Sequence, residues 1–223
     1  MKLVFYSGGE ESINDHLDHE FIKLTGKRPR DIKITYIPSC SLDSQFDYYC
    51  YVRQQKRWGI EKIIYFPIDI PLASMMIENV LSSDVIHLAG GNTFYFLKHL
   101  RRSFMLGTLK NFVADGGVLT GLSAGAILMT PNILTASFPS FDCDENYENM
   151  KNLKALNLCS FEFFPHFRNS QRYINELTSY SKTSQNPLYA CPDGHGIVVD
   201  DESVKFLGKT YGFIQGKRML IRP

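Results

Sequence analysis

A serine stands between two glycines in Gly121-Leu122-Ser123-Ala124-Gly125, after the β-prone run Val118-Leu119-Thr120 and before a run of good helix formers. Strand, tight turn and helix around G-x-S-x-G form the setting of a nucleophile elbow. So sharp a turn needs backbone angles that side chains resist, and it leaves no room for Cβ atoms beside the serine. It lifts the Ser123 hydroxyl clear of the sheet edge. It also leaves the Ala124 N–H at a helix N-terminus, where free donors and the helix dipole favour negative charge.

A serine hydroxyl is a poor nucleophile until a base takes its proton. His166, in Phe-Phe-Pro-His-Phe, follows an apolar run and is expected at a strand end; His195, in Asp-Gly-His-Gly, is the alternative. His16 and His19 lie in a charged helical run with Asp15, Asp18 and Glu20, which lacks the H-E-x-x-H spacing and reads as a solvated face, so no metal is expected. His87 and His99 read as structural. A third group must fix the base's tautomer by accepting from its other ring nitrogen. Asp193, in a Pro-Asp-Gly turn, is the candidate, and spacing leaves Asp142, Asp144 and Glu162 open.

Gly90-Gly91-Asn92-Thr93 fits neither G-x-G-x-x-G nor the P-loop pattern. Its use would be a second oxyanion donor, an N–H exposed where Cβ is absent. Arg168 lies two residues past His166, and Arg172 follows four later. With a helix starting near Ser170, Arg168 overhangs the catalytic edge, where a guanidinium grips a carboxylate by two bonds. Asn92 is counted with Arg168 as a candidate substrate contact.

These residues need a frame. Strands are expected at 3–6, 32–37, 62–66, 85–88 and 118–120, with helices at 10–24, 46–58, 75–81, 94–100, 109–114 and directly after Ser123. Such alternation predicts βαβ units: an α/β fold with a doubly wound, mostly parallel sheet and helices on both faces. Gly8-Gly9, Pro38-Ser39, Gly90-Gly91 and Ser123 all follow strands, at the carboxyl edge where such sheets bind ligands. Beyond residue 130 the reading is a polar loop or lid at 137–150, a strand at 158–164, a helix at 171–180 and a strand at 188–191. Antiparallel strands at 197–199, 204–207 and 212–214 end the chain. Without repeat or linker, residues 1–223 are expected to form a single catalytic domain.

Bulk composition excludes several classes. A net charge of +1 without a basic run argues against nucleic-acid or membrane partners. The N-terminal apolar run is too brief for a signal peptide, and nothing approaches a membrane span. Cys40, Cys50, Cys143, Cys159 and Cys191 are odd in number without a C-x-x-C, which suits free thiols in the cytoplasm and no zinc site. No cofactor is expected, and the oligomeric state, monomer or homodimer, is open.

Five motifs carry a resemblance. Gly90-Gly91-Asn92-Thr93-Phe94, Gly121-Leu122-Ser123-Ala124-Gly125-Ala126, Pro131-Asn132-Ile133, Pro165-His166-Phe167 and Pro192-Asp193-Gly194 follow the order and spacing of the peptidase E (α-aspartyl dipeptidase) and cyanophycinase family. The chain resembles that family from first strand to last. The resemblance implies a sheet like that of class I glutamine amidotransferases, with serine in place of cysteine. It implies Ser123 as nucleophile, His166 as base, and the Gly91 and Ala124 N–H groups as the oxyanion hole. In the position of the dipeptidase's Pro-Glu-Gly stands Asp193, one methylene shorter. The implied activity is serine-type hydrolysis of short peptides, in the dipeptidase after an N-terminal aspartyl residue. A related isopeptide hydrolase and a catalytically idle binding domain of the same fold are the alternatives.

Overall fold

The computed structural model describes every residue except 10, 43, 72–77, 79, 202, 222 and 223. The helix expected at 75–81 therefore falls largely outside the described residues.

Alternation within the first strand builds the centre of the molecule. In β1 (Lys2–Tyr6), Leu3 and Phe5 enter one core and Val4 and Tyr6 the other, as the two-residue period of a strand dictates. A fully buried Phe such as Phe5 contributes about 1.5–3 kcal/mol. The chain continues through α1 (Asp15–Thr25), β2 (Lys33–Ile37), α2 (Gln45–Arg57), β3 (Lys62–Tyr65), β4 (Val85–Leu88), α3 (Thr93–Arg102), α4 (Met105–Ala114), β5 (Val118–Leu122) and α5 (Ala124–Met129). Leu17 and Phe21 of α1 cover the Val4 face; Leu97 and Leu100 of α3 and Leu109 of α4 cover the Phe5 face.

Next come β6 (Glu162–Phe164), α6 (Gln171–Ser181), β7 (Leu188–Ala190), β8 (Gly196–Asp200), β9 (Ser203–Leu207), β10 (Thr210–Ile214) and β11 (Lys217–Ile221). The main sheet has seven strands in the order β3-β2-β4-β5-β1-β8-β9. Its first five are parallel, and β8 and β9 close it antiparallel. Helices on both faces of this sheet match the expected doubly wound α/β architecture.

Four strands form a separate sheet, β11-β10-β7-β6, with α6 packed on it through Tyr173 and Leu177. Here β6 and β7 run parallel, Phe164 opposite Ala190, so the turns after them leave from the same end. The strand expected at 158–164 is shortened to three residues. The N–H groups of Ala155, Leu156 and Leu158 are already spent on the carbonyls of Pro131, Leu128 and Met129, which docks this stretch on the end of α5. Among the described residues, no helix is long and apolar enough to cross a membrane.

Candidate active site

Ser123 is the single residue between β5 and α5, and its backbone sits at φ 50°, ψ −108°. Held there, a side-chain-bearing residue stores about 1–3 kcal/mol of strain. Two hydrogen bonds hold the turn from either side. The Ser123 N–H donates to the Tyr6 carbonyl at 3.0 Å, and the Gly125 N–H donates to the Ala89 carbonyl at 3.1 Å. Gly125 is required by proximity, since a Cβ there would overlap the Leu88 carbonyl oxygen.

His166 lies in the turn after β6, with φ 54°. Its Nε2 is 2.8 Å from Ser123 Oγ, and its Nδ1 is 2.7 Å from Asp193 Oδ1. With Nδ1–H donating to the carboxylate, Nε2 is left to accept from the serine hydroxyl. The ring and the carboxylate are about half exposed, at 47% and 51%. Asp193 sits in the turn after β7, which explains how strands meeting in the smaller sheet bring His166 and Asp193 together.

Three residues to which the sequence assigns no individual role hold this trio. The Ser7 hydroxyl, fully buried, accepts the His166 N–H at 2.8 Å and donates to the Cys191 carbonyl at 2.6 Å. Gly8 lies directly against the pair: a Cβ there would overlap the His166 ring and stand 2.5 Å from Asp193 Oδ1. The Gly8 carbonyl also accepts from the Gly194 N–H at 2.9 Å. Beneath them the Tyr6 hydroxyl donates to Asp18 at 2.9 Å. Gly8-Gly9 after a strand was the available signal, because a glycine pair there permits close approach of another chain segment.

The competing residues are engaged elsewhere. His195 Nδ1 is buried without a partner among the described residues, and the ring packs where a Gly208 Cβ would go. Asp142 accepts from the Tyr173 hydroxyl, and Asp144 accepts from the Thr93 N–H at 2.7 Å. Glu162 is buried and takes the Asn132 amide at 3.1 Å. His87 bonds Thr120 at 2.8 Å, and burial pushes its pKa down to about 3, which keeps the ring neutral. Among the described residues, no three histidine, cysteine or acidic side chains gather as a metal ion requires.

Ala124 opens α5, so its N–H has no partner within the helix. Gly91 has φ 129°, and a Cβ on it would overlap Ser39 Oγ. Asn92 caps α3: its side-chain oxygen accepts the Tyr95 N–H and its amide donates to the Glu145 carbonyl, both at 2.9 Å. A cavity of about 750 Å³ opens over Ser123 and His166, lined also by Thr135, Asp142, Asp144 and Arg168. Ser170 flanks the start of α6, leaving the exposed Arg168 side chain at the cavity wall, whereas the Arg172 guanidinium lies 3.3 Å over the Phe141 ring.

The sequence pattern of peptidase family S51 matches residues 3–207. The chain belongs to peptidase family S51. It is a serine-type peptidase. An uncharacterized peptidase of Listeria innocua is 29% identical over 176 residues, 77% of this chain and 82% of that protein. Peptidase E of a Nostoc species is 24% identical over 184 residues, 79% and 72% of the two chains. Two solved structures share the S51 fold at a TM-score of 0.72. A candidate peptidase E from Listeria monocytogenes is 22% identical over 92% of this chain and 96% of its own. A peptidase from an acI-B1 actinobacterium is 16% identical over 99% and 93%.

Proposed function

We propose that this S51 peptidase hydrolyses short peptides through an acyl-enzyme on Ser123, with His166 as general base and Asp193 as its orienting acid. The observation that carries the reading is the unbroken chain from Ser123 Oγ to His166 Nε2, and from Nδ1 to Asp193 Oδ1, with steps of 2.8 and 2.7 Å. His166 takes the hydroxyl proton as Oγ attacks the scissile carbonyl. The Gly91 and Ala124 N–H groups meet the oxyanion that forms. When the intermediate collapses, the same proton goes to the leaving amine, and water then attacks the ester with His166 as base again.

The preferred substrate carries an N-terminal aspartyl residue, read by Arg168. In support, Arg168 is on the wall of the Ser123 cavity, while Arg172 is occupied by Phe141. The test is a hydrolysis panel of aspartyl dipeptides, β-aspartyl isopeptides and neutral dipeptides, with Ser123→Ala as control. Arg168→Ala should lower kcat/KM for aspartyl substrates by about tenfold to a hundredfold, the worth of a charged hydrogen-bonded contact. Neutral dipeptides should be spared. Equal loss on both removes Arg168 from recognition. Hydrolysis confined to isopeptides would move the enzyme to the cyanophycinase side of the family, and no Ser123-dependent turnover would leave an idle domain.

A further inference from the structure

A second cavity, of about 680 Å³, also borders the nucleophile, and Arg168 is not in its lining. Among the described residues, only Gly91, Ser123 and His166 line both cavities. These are the proposed oxyanion donor, nucleophile and base, so a bond cleaved there has one half of its substrate in each cavity.

The two cavities differ in chemistry. In the second, Tyr51 stacks on His87 with ring centroids 4.3 Å apart and planes at 24°, and Tyr36 stacks on the same imidazole at 5.5 Å and 25°. His87 and Tyr36 are buried and the His87 Nδ1 is taken by Thr120, so these two rings back Tyr51, the partly exposed ring of the stack. Gly8 and Gly9 leave their part of the wall without side chains. At the rim, Phe46 in the first turn of α2 is 75% exposed, an apolar ring largely open to solvent. Asp47, Arg53 and Arg57 also line this cavity, and between them the Tyr51 ring and Phe46 suit another flat apolar ring, which aromatic pairs take up in stacked or edge-on contact.

We infer that this cavity is the subsite for an aromatic side chain on the residue that follows the scissile bond. The inference rests on the proposed reading, in which Arg168 holds the aspartyl half in the first cavity. The preferred dipeptide is then aspartyl-phenylalanine over aspartyl-alanine.

Calorimetric titration of the Ser123→Ala protein with these two dipeptides tests the subsite without turnover. The phenylalanine dipeptide should bind about tenfold tighter, as expected for burying an aromatic side chain against the Tyr51 and Phe46 rings. Tyr51→Leu should remove most of that advantage, leaving aspartyl-alanine within about twofold, and Phe46→Ala, at an exposed position, should remove part of it. Equal affinities, no binding of either dipeptide, or equal loss on both in Tyr51→Leu would overturn the subsite. Turnover by the wild type separates the two ideas: hydrolysis of both dipeptides at equal efficiency removes the subsite alone. Selective binding with no Ser123-dependent hydrolysis removes the catalytic reading.

Discussion

The Ser7 hydroxyl accepts the backbone N–H of His166 at 2.8 Å, although 159 residues separate them in the chain. The same hydroxyl donates to the Cys191 carbonyl, two residues before Asp193. One buried oxygen thus ties the turn that carries the proposed base, His166, to the turn that carries the proposed acid, Asp193. Ser7→Ala breaks both bonds and leaves a donor and an acceptor without partners, at about 1–3 kcal/mol of stability. A slackened base should lower kcat by about 10²-fold, the size of effect that small displacements of catalytic groups produce. KM should change little, because Ser7 lines neither cavity beside Ser123. Steady-state kinetics of Ser7→Ala and Ser7→Thr decide this; unchanged kcat in the alanine protein would mean that Gly8 and Asp193 hold the ring unaided.

Strain at Ser123 should be visible as stability. Replacing it with glycine removes the nucleophile and also relieves about 1–3 kcal/mol of backbone strain, against about 0.5–1 kcal/mol of added chain entropy. Ser123→Gly should lose about 10⁴-fold or more in kcat while melting about 2–4 °C higher. Ser123→Ala should be equally inactive without the gain in Tm. A glycine variant that melts below the alanine variant would show that the turn is not strained.

Asp193 and Asp142 both border the cavity, but they have different partners. Asp193→Asn leaves His166 in the wrong tautomer, which in a serine triad costs about 10⁴ in kcat. Asp142→Asn disturbs only the Tyr173 bond and should stay within about tenfold of wild type. If Asp142→Asn were the damaging change and Asp193→Asn silent, the assignment of the acid would be wrong.

Asp18 predicts a pH effect on stability. It is 1% exposed, held by Tyr6, Gln54 and Trp58 without a cation, and desolvation pushes its pKa up to about 6 from 3.8. The folded protein therefore binds a proton that the unfolded chain releases between about pH 4 and 6. Asp18 thus favours folding below that window and disfavours it above, by about 3 kcal/mol in total. His87, held neutral, acts in the opposite direction as pH falls below 6.5. For that reason the quantity to measure is the difference between wild type and Asp18→Asn in urea midpoints. Relative to wild type, the variant should gain stability as pH rises from 4 to 7; a constant difference would place the Asp18 pKa near its ordinary value.

Much of this was legible before any coordinates. The elbow announced itself because only glycine tolerates the contacts at 121 and 125, and the main-sheet strands are apolar runs bounded by turns. What escaped was set by distant partners. The strand Lys217–Ile221 reads Lys-Arg-Met-Leu-Ile and faces solvent over most of its length, so it shows no alternation. It forms because Gln215 and Gly216, both at positive φ, turn it back onto β10. The second sheet likewise follows from which strands find each other, not from the composition of any one. Ser7 reads as an ordinary residue after a strand. Its role exists only where residues 166 and 191 arrive beside it.

The position of β1 between β5 and β8 has a consequence for the birth of the enzyme. Tyr6, Ser7 and Gly8 at its end touch the nucleophile, the base and the acid, which enter the growing chain only at residues 123, 166 and 193. On the ribosome the first strand must wait until residue 193 has been made, and contacts of such long sequence separation form late. A nascent chain halted before residue 193 carries the serine without its acid or the turn that positions it. Peptide-cutting power would thus switch on only after residue 193 and the turn around it have been made.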